Sequence, residues 1–283
     1  MPFTPTHVVA AVPLAHLSAR VARWLRPGGG GVEPARAGLP FSALALGSMI
    51  PDLPSFVRLY PGAYYTSHSF LGVVTLDLAL GLLALLVWHA LLARPAQELL
   101  PSPIRERLGP AAEPWPWGRL DRWAAAALAI ALGAATHVVW DAFTHGDRWG
   151  VELVPALRRE LLRVSGRGIP VYRALQYGSS LVCLPLLAFL AWRWLARQPR
   201  RPRPSPLSSG ARVGVWIALL GTPAAVGVAA ALLQPTPRRG LRRFMGYAYE
   251  AATWGGQALI VGTLAAGALL TLWLARAPRT EPR

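Results

Sequence analysis

Histidine and aspartate are the side chains in this sequence best suited to metal or acid–base chemistry. His137, Asp141 and His145 follow one another at intervals of four residues. Since an α-helix turns once in about 3.6 residues, all three share one helix face. Imidazole nitrogen and carboxylate oxygen are the ligands that zinc takes where thiolates are lacking. This spacing predicts a metal site or, with equal weight, a structural hydrogen-bond network between helices.

The composition indicates that these residues lie in a membrane protein. Of the 283 residues, 53% are hydrophobic and only 15% are charged, whereas soluble domains carry about 25% charged residues. Five apolar runs reach the roughly 20 residues that a spanning helix needs. They are Phe70–Ala93, Trp123–Phe143, Ser179–Ala196, Val213–Leu233 and Gln257–Ala275. We therefore predict an all-α fold, a polytopic membrane helical bundle of about five transmembrane spans.

Shorter segments and a linker complete the predicted organisation. Val8–Leu25 ends in arginines, which indicates an amphipathic or packed N-terminal helix. Pro40–Ile50 is too short to cross a membrane and is predicted to be re-entrant or packed. The stretch QPRRPRPSPLSS indicates a flexible boundary. The predicted parts are a membrane-embedded helical domain over 1–197 with the metal site, a linker over 198–210 and a C-terminal two-span hairpin over 211–283.

The strong positive charge does not indicate nucleic-acid binding. The formal net charge is +16, and all 29 basic residues are arginine. These arginines lie between apolar runs rather than on one polar face, so membrane lipids and not nucleic acids are the expected partners. Most arginines near the predicted site, Arg148 among them, are expected to be solvated connectors that meet anionic lipid. The single cysteine, Cys183, excludes an internal disulfide framework and a Cys-based zinc finger.

Alternating spans bring the candidate ligands to one membrane face. His68 precedes the first span and the row from His137 to His145 ends the second, so oppositely directed helices place them together. The N-terminal segment belongs to the same face. The predicted metal ligands are His7, Asp52, His68, His137, Asp141 and His145. Asp52 and Asp141 are the predicted catalytic residues, because a carboxylate can bridge metals or take a proton from water.

Other polar residues of the apolar runs are interpreted as structural. His89 lies 21 residues after His68, about 31 Å along a helix. His16 lies on the opposite face of a continuous helix from His7. Asp77 is buried by its position in the first span, and is expected to stay protonated or to pair with a polar group of another helix.

A family resemblance covers most of the chain from Met1 to Leu195. The segments that carry it, in order, are MPFTPTHVVAAVPL, LPFSALALGSMIPDLPSF, YYTSHSFLGVV, ATHVVWDAFTHGDRWGVELVPAL and YRALQYGSSL. Together they resemble the DUF4184 family of bacterial membrane proteins. The resemblance implies an integral protein of the bacterial inner membrane, and it carries no settled activity.

The order of an early His, Pro-Asp, Ser-His-Ser and His-x3-Asp is also similar to the YdjM-type membrane-bound metal-dependent hydrolases. More distantly it resembles the zinc-dependent phospholipase C/P1 nuclease group, in which His and Asp residues on helices hold three zinc ions for phosphoester hydrolysis. That group uses a second His-x3-Asp pair and the amino group of a mature N-terminus, and no histidine follows His145 here. The resemblance therefore implies one or two divalent ions, with zinc expected. Asp147, Glu152 or Glu250 are expected as substitute ligands.

Two functions of different classes follow from these observations. The first is a membrane-embedded metal-dependent hydrolase that acts on phosphoester bonds of anionic lipid or lipid-linked substrates. The alternative is a non-catalytic membrane protein whose His/Asp cluster stabilises the helices or carries metal ions or protons. Metal analysis of the purified protein discriminates between them.

Overall fold

A computed structural model describes residues 4–24, 38–57, 59–108, 115–164, 167–202, 204–233 and 241–276. Within these residues, five helical segments are long and apolar enough to cross a membrane: Phe70–Leu99, Leu120–Thr144, Val171–Ala196, Ser209–Leu233 and Gly246–Arg276. The predicted all-α polytopic membrane helical bundle with five spans is confirmed. Leu25, at the end of the predicted N-terminal helix, and Arg203, in the predicted linker, lie outside the described residues.

The described α-helices, in chain order, are α1 Ala11–Trp24, α2 Phe41–Met49, α3 Leu53–Val57, α4 Ala63–Ser67, α5 Phe70–Val74, α6 Leu76–Val87, α7 Ala93–Leu99, α8 Ser102–Leu108, α9 Leu120–Thr144, α10 Trp149–Leu153, α11 Val171–Ala196, α12 Ser209–Leu233 and α13 Leu241–Arg276. Tighter 3-10 turns form at Thr4–Ala10, Ile50–Asp52 and Pro155–Arg158. A π-helical turn at Trp88–Leu92 joins α6 to α7. The first span is therefore built from three α-helices and a π-helical turn.

A short antiparallel hairpin precedes the third span and was not expected from the sequence. Its strands are β1 Glu160–Val164 and β2 Arg167–Pro170. The strands are too short for an alternating apolar pattern to stand out, and Leu161 and Leu162 are both exposed. None of the strand residues whose burial the structure describes is buried, so backbone pairing is the contact that defines the hairpin there.

The chain divides into two compact units. The first consists of Met1–Pro54, Arg58–Leu85 and Pro116–Trp194, and the second of Ser55–Val57, Leu86–Trp115 and Leu195–Arg283. The predicted C-terminal hairpin over 211–283 thus groups with the chain around α7 and α8. In that second unit, the Thr271 hydroxyl donates a hydrogen bond to the Leu91 carbonyl oxygen at 2.9 Å.

Hydrogen bonds also hold the predicted linker within the second unit. The backbone N–H of Arg201 donates to the Glu106 carbonyl oxygen at 2.9 Å. The Ser205 hydroxyl donates to Oε2 of Glu98 at 2.9 Å, and Nε of Arg212 donates to the Glu98 carbonyl oxygen at 3.0 Å. The described part of this Pro- and Arg-rich stretch is therefore fastened to α7 and α8.

In the first unit, α2 packs closely against α9, which agrees with the packed alternative of the re-entrant or packed segment predicted for Pro40–Ile50. Gly47 and Gly133 lie at the crossing: a Cβ atom on Gly47 would collide with the Ile130 backbone, and one on Gly133 would lie 2.7 Å from the Ser48 nitrogen. Small residues allow two helix backbones to approach in this way. The crossing brings the end of α2 beside the C-terminal half of α9.

The first span also packs against α9. Val73 of α5 clusters with Ala134 and Val138 of α9. One turn further on, Asp77 is fully buried, and neither of its carboxylate oxygens has a hydrogen-bond partner among the described residues. The structure thus provides no partner for Asp77 in the part of the chain that it describes, which leaves the protonated form as the expected state.

Candidate metal centre

Four different elements of the first unit deliver five buried histidines and aspartates that lie close together. His7 lies in the 3-10 turn Thr4–Ala10, and Asp52 in the turn Ile50–Asp52 that follows α2. His68 caps the C-terminus of α4. His137 and Asp141 occupy successive turns of α9. All five residues are between 0% and 6% exposed.

Asp52, His68, His137 and Asp141 form the centre of this arrangement. Nε2 of His68 lies 3.7 Å from Oδ1 of Asp52 and 3.6 Å from Oδ2 of Asp141. Nε2 of His137 lies 3.6 Å and 3.5 Å from the same two oxygens. One ligand atom from each of the four residues lies within 4.8 Å of the other three. We call these four residues the metal-ligand quartet.

The distances within the quartet fit coordination better than hydrogen bonding. Hydrogen bonds between nitrogen and oxygen usually measure about 2.7–3.2 Å. Zinc bonds of about 2.0–2.2 Å in tetrahedral geometry place neighbouring ligand atoms about 3.3–3.6 Å apart. The contacts of 3.5–3.7 Å lie close to that second range. The donor set and its spacing therefore fit a divalent metal ion.

Backbone carbonyl groups orient both quartet histidines. Nδ1 of His137 donates a hydrogen bond to the Ser48 carbonyl oxygen at 2.8 Å. Nδ1 of His68 donates to the Tyr64 carbonyl oxygen at 2.9 Å. Because each Nδ1 carries the proton, in the neutral rings Nε2 presents its lone pair to the carboxylates. This is how metal-binding histidines are usually held.

One oxygen of Asp52 is also held from outside the quartet. The Thr4 hydroxyl donates to its Oδ2 at 2.6 Å, which leaves Oδ1 facing the two histidines. Burial opposes ionisation of this carboxyl group, but the His137 imidazole and the Thr4 hydroxyl outweigh it and hold the pKa of Asp52 below its usual range. Asp52 is therefore a carboxylate at neutral pH, as a metal ligand must be.

His7 approaches the other oxygen of Asp141. Its Nε2 lies 3.6 Å from Oδ1, whereas the quartet uses Oδ2. Its ring stacks on that of His137, with ring centres 3.8 Å apart. Burial, followed by the neighbouring His137, lowers the pKa of His7 from 6.5 to about 4. His7 is thus a neutral imidazole that faces a carboxylate shared with the quartet.

His145 lies beside this arrangement, but its ring nitrogens have protein partners. Nδ1 donates to the Asp141 carbonyl oxygen at 3.1 Å, although it also lies 3.6 Å from Oδ2 of Asp141. Nε2 accepts a hydrogen bond from the Gln176 amide at 3.0 Å. His145 is therefore near the quartet without presenting a free lone pair to it.

The histidines interpreted as structural and the expected substitute ligands lie apart from the quartet. His16 is exposed, and the ring of His89 packs on Trp115 at 4.8 Å between ring centres. Asp147 and Glu152 are exposed, and Glu250 belongs to the second unit. The described residues thus bring five of the six predicted ligands into mutual contact and place none of the three predicted substitutes in the quartet.

The residues that orient the ligands were not expected from the sequence. Ser48 and Tyr64 act through their carbonyl groups, which every residue carries and which leave no signal in the sequence. Thr4 acts through its hydroxyl, and its place three residues before His7 was the one available indication. An open groove of about 470 Å³ also lies beside the site. Its lining includes His145, Gln176 and Tyr172.

Comparison with known proteins places the chain in a family. No curated protein and no solved structure matches it. A family model described as "Domain of unknown function (DUF4184)" matches residues 32–268. This match covers most of the 283 residues and includes the whole metal-ligand quartet. The chain therefore belongs to the DUF4184 family.

Proposed function

We propose that this protein is a metal-dependent hydrolase embedded in the bacterial inner membrane, which acts on phosphoester bonds of lipid or lipid-linked substrates. One observation carries the proposal. Six buried side-chain atoms that converge in the first unit have no hydrogen-bond partner among the described residues. They are His7 Nε2, Asp52 Oδ1, His68 Nε2, His137 Nε2 and both carboxylate oxygens of Asp141.

Unpartnered buried polar atoms are costly, at about 1–3 kcal/mol each and more where the group is charged. A divalent cation bound by the metal-ligand quartet offsets this cost for four residues at once. Zinc is the expected ion, because imidazole and carboxylate are its usual ligands outside thiolate sites. His7 and Asp141 would hold a second ion, if one binds.

The chemistry follows from such a site. A bound divalent ion supplies a Lewis acid and lowers the pKa of a coordinated water to about 7. Asp52 is ionised at neutral pH and belongs to the quartet, so its carboxylate would be suited to accept a proton from a water molecule in the site. Asp141 faces His7 with Oδ1 and His68 with Oδ2. Its carboxylate would therefore be suited to bind on both sides.

The membrane setting supports a lipid substrate. The third span, α11, begins at the groove, where Tyr172, Gln176 and Tyr177 line its wall. Leu181 and Val182, one turn further along the same helix, are exposed and apolar. A phospholipid has matching chemistry, because its headgroup is polar and its acyl chains are apolar.

The order of residues supports hydrolysis. The early His, Pro-Asp, Ser-His-Ser and His-x3-Asp segments are similar to those of membrane-bound metal-dependent hydrolases and, more distantly, of the phospholipase C/P1 nuclease group. In this chain those segments carry the members of the quartet together with His7.

A second candidate function is a structural or transport role. Four protein ligands fill a tetrahedral zinc shell, and closed shells are typical of structural sites. Without metal, protonated histidines and the two carboxylates would form a buried ion-pair cluster that stabilises the fold. Neither form of this alternative predicts hydrolysis.

Metal analysis and a phosphodiesterase assay on detergent-purified protein test the proposal. We expect one or two zinc ions per chain and hydrolysis of bis(p-nitrophenyl) phosphate or a short-chain phospholipid. Chelation should abolish activity and zinc should restore it. Folded wild-type protein that is free of metal after growth with ample zinc and manganese would overturn the proposal. Metal-loaded protein without activity on either substrate would favour the structural alternative.

A further inference from the structure

Arg148 places a positive charge next to the metal-ligand quartet. Arg148 lies three residues after His145, and its backbone N–H donates a hydrogen bond to the His145 carbonyl oxygen. Its guanidinium carbon lies 5.2 Å from the centre of the Tyr64 ring and 5.7 Å from that of Tyr65. The Tyr64 ring in turn lies 4.1 Å from the ring of His68, measured between centres. One aromatic side chain thus separates Arg148 from a quartet histidine.

The guanidinium of Arg148 retains an unused donor. Its Nη2 is buried, and within the described parts of the chain no group accepts a hydrogen bond from it. Two exposed arginines of the first unit behave differently, since Arg119 pairs with Asp121 and Arg163 with Glu160. A buried charged donor without an acceptor is unfavourable. Arg148 is therefore expected to meet an acceptor that arrives with a ligand.

The neighbouring tyrosine does not supply that acceptor charge. The guanidinium of Arg148 lies over the rings of Tyr64 and Tyr65, and such cation–π contacts supply no formal negative charge.

Charge balance at the quartet points to the same kind of ligand. Asp52 and Asp141 carry two negative charges, which one divalent cation neutralises. With one ion bound, an anionic substrate would then find no net attraction from the quartet and its ion alone. A positive group beside the quartet supplies that attraction, and Arg148 is buried more deeply than the exposed Arg158 and Arg159.

We propose that Arg148 binds the phosphoryl oxygens of the substrate, so that the centre selects anionic phosphate esters over neutral esters and amides. The inference rests on the proposed function, because it names the substrate class of that site. A guanidinium offers two parallel N–H donors, which match two phosphoryl oxygens. Inorganic phosphate and a lipid phosphate share this chemistry.

Phosphate binding measured by calorimetry on zinc-loaded protein tests the inference. The probes are inorganic phosphate and dihexanoyl phosphatidic acid, and metal content is measured in every sample. We expect Arg148→Gln to weaken the binding of both probes about tenfold to a hundredfold. Arg148→Lys, which keeps the charge but not the paired donors, should show a smaller loss. Arg158→Gln is the matched control, because it removes the same charge from an exposed position.

Each outcome bears on one claim. Equal phosphate affinity of wild type and Arg148→Gln at equal metal content would overturn the role of Arg148, as would wild-type protein that binds neither probe. If the Arg148→Gln protein does not fold, the loss of phosphate affinity in the Arg148→Lys protein decides whether Arg148 binds phosphate. Absence of metal in the wild type overturns the proposed function instead. Tighter binding of phosphatidic acid than of phosphate would identify a lipid as the source of the phosphoryl group.

Discussion

At the residue scale, hydrogen bonds outside the quartet decide which atoms face inward. His137 and His68 each give their Nδ1 proton to a carbonyl oxygen, and Thr4 occupies one oxygen of Asp52. The inward-facing atoms are then lone pairs and carboxylate oxygens, which repel one another unless a cation or protons lie between them. The metal content and the protonation of the quartet therefore tell whether a metal ion or protons lie between these atoms.

His137 and His145 provide a matched pair of substitutions on one helix. His137→Ala removes an inward-facing lone pair and is expected to abolish metal binding. His145→Ala removes a ring whose nitrogens already have partners, so most of the metal should remain. Elemental analysis of both purified variants checks this, with His89→Ala as a control outside the quartet. Equal loss of metal in the His137 and His145 variants would show that His145 is also a ligand.

Thr4→Val tests the hydroxyl that holds Asp52. Valine keeps the shape of threonine but removes the hydrogen bond to Oδ2. Groups that support metal ligands typically contribute 10- to 100-fold in affinity, so we expect a loss of about that size in competition with a zinc chelator. Thr75→Val is the control, because the Thr75 hydroxyl donates to the Leu71 carbonyl oxygen of the adjoining helix α5 and not to a ligand. Unchanged affinity in Thr4→Val would mean that this bond does not orient the ligand.

At the element scale, the site depends on how closely α2 approaches α9. The carbonyl of Ser48 can reach His137 because Gly47 and Gly133 let the two backbones come together. A change that separates these helices should therefore weaken both the packing and the metal site, although neither glycine is a ligand.

Gly133→Ala is expected to lower the free energy of unfolding by about 1–3 kcal/mol, as overpacking of a close contact does. Its Cβ would lie against the backbone of Leu44 and Ser48. Metal affinity should fall as well, because Ser48 moves relative to His137. Gly178→Ala is the matched control, since nothing lies within 4 Å of its added Cβ. Chemical denaturation and metal analysis measure both effects, and a Gly133→Ala protein as stable and as metal-rich as the control would contradict this account.

Sequence periodicity predicted the elements better than their contacts. Apolar runs predicted all five spans, and the spacing of His137 and Asp141 placed both on one face of α9. The third span begins at Val171, eight residues before the predicted start at Ser179, because the more polar stretch before the apolar run is also helical. The α2–α9 crossing and the carbonyl partners of the histidines arise from tertiary packing. No local pattern encodes them.

At the scale of the whole molecule, the side of the membrane that the quartet faces determines which substrates reach it. Arginines are spread almost evenly over the two predicted sides, so the positive-inside rule predicts no orientation. The alternation of spans does predict relative sidedness. The quartet lies at the C-terminal end of the second span, α9, on the side where Arg158 follows.

Single-cysteine labelling tests this arrangement, because replacing Cys183 with alanine leaves a chain without cysteine. Gly118→Cys and Arg158→Cys then place exposed thiols before and after α9. One span separates the two positions, so a membrane-impermeant maleimide should label one in intact cells and the other only after permeabilisation. Leu128→Cys, half-exposed within the span, should react in neither state, since lipid suppresses thiolate formation. Labelling of both connectors from the same side would contradict a transmembrane α9, whereas opposite labelling would identify the side from which metal and substrate reach the quartet.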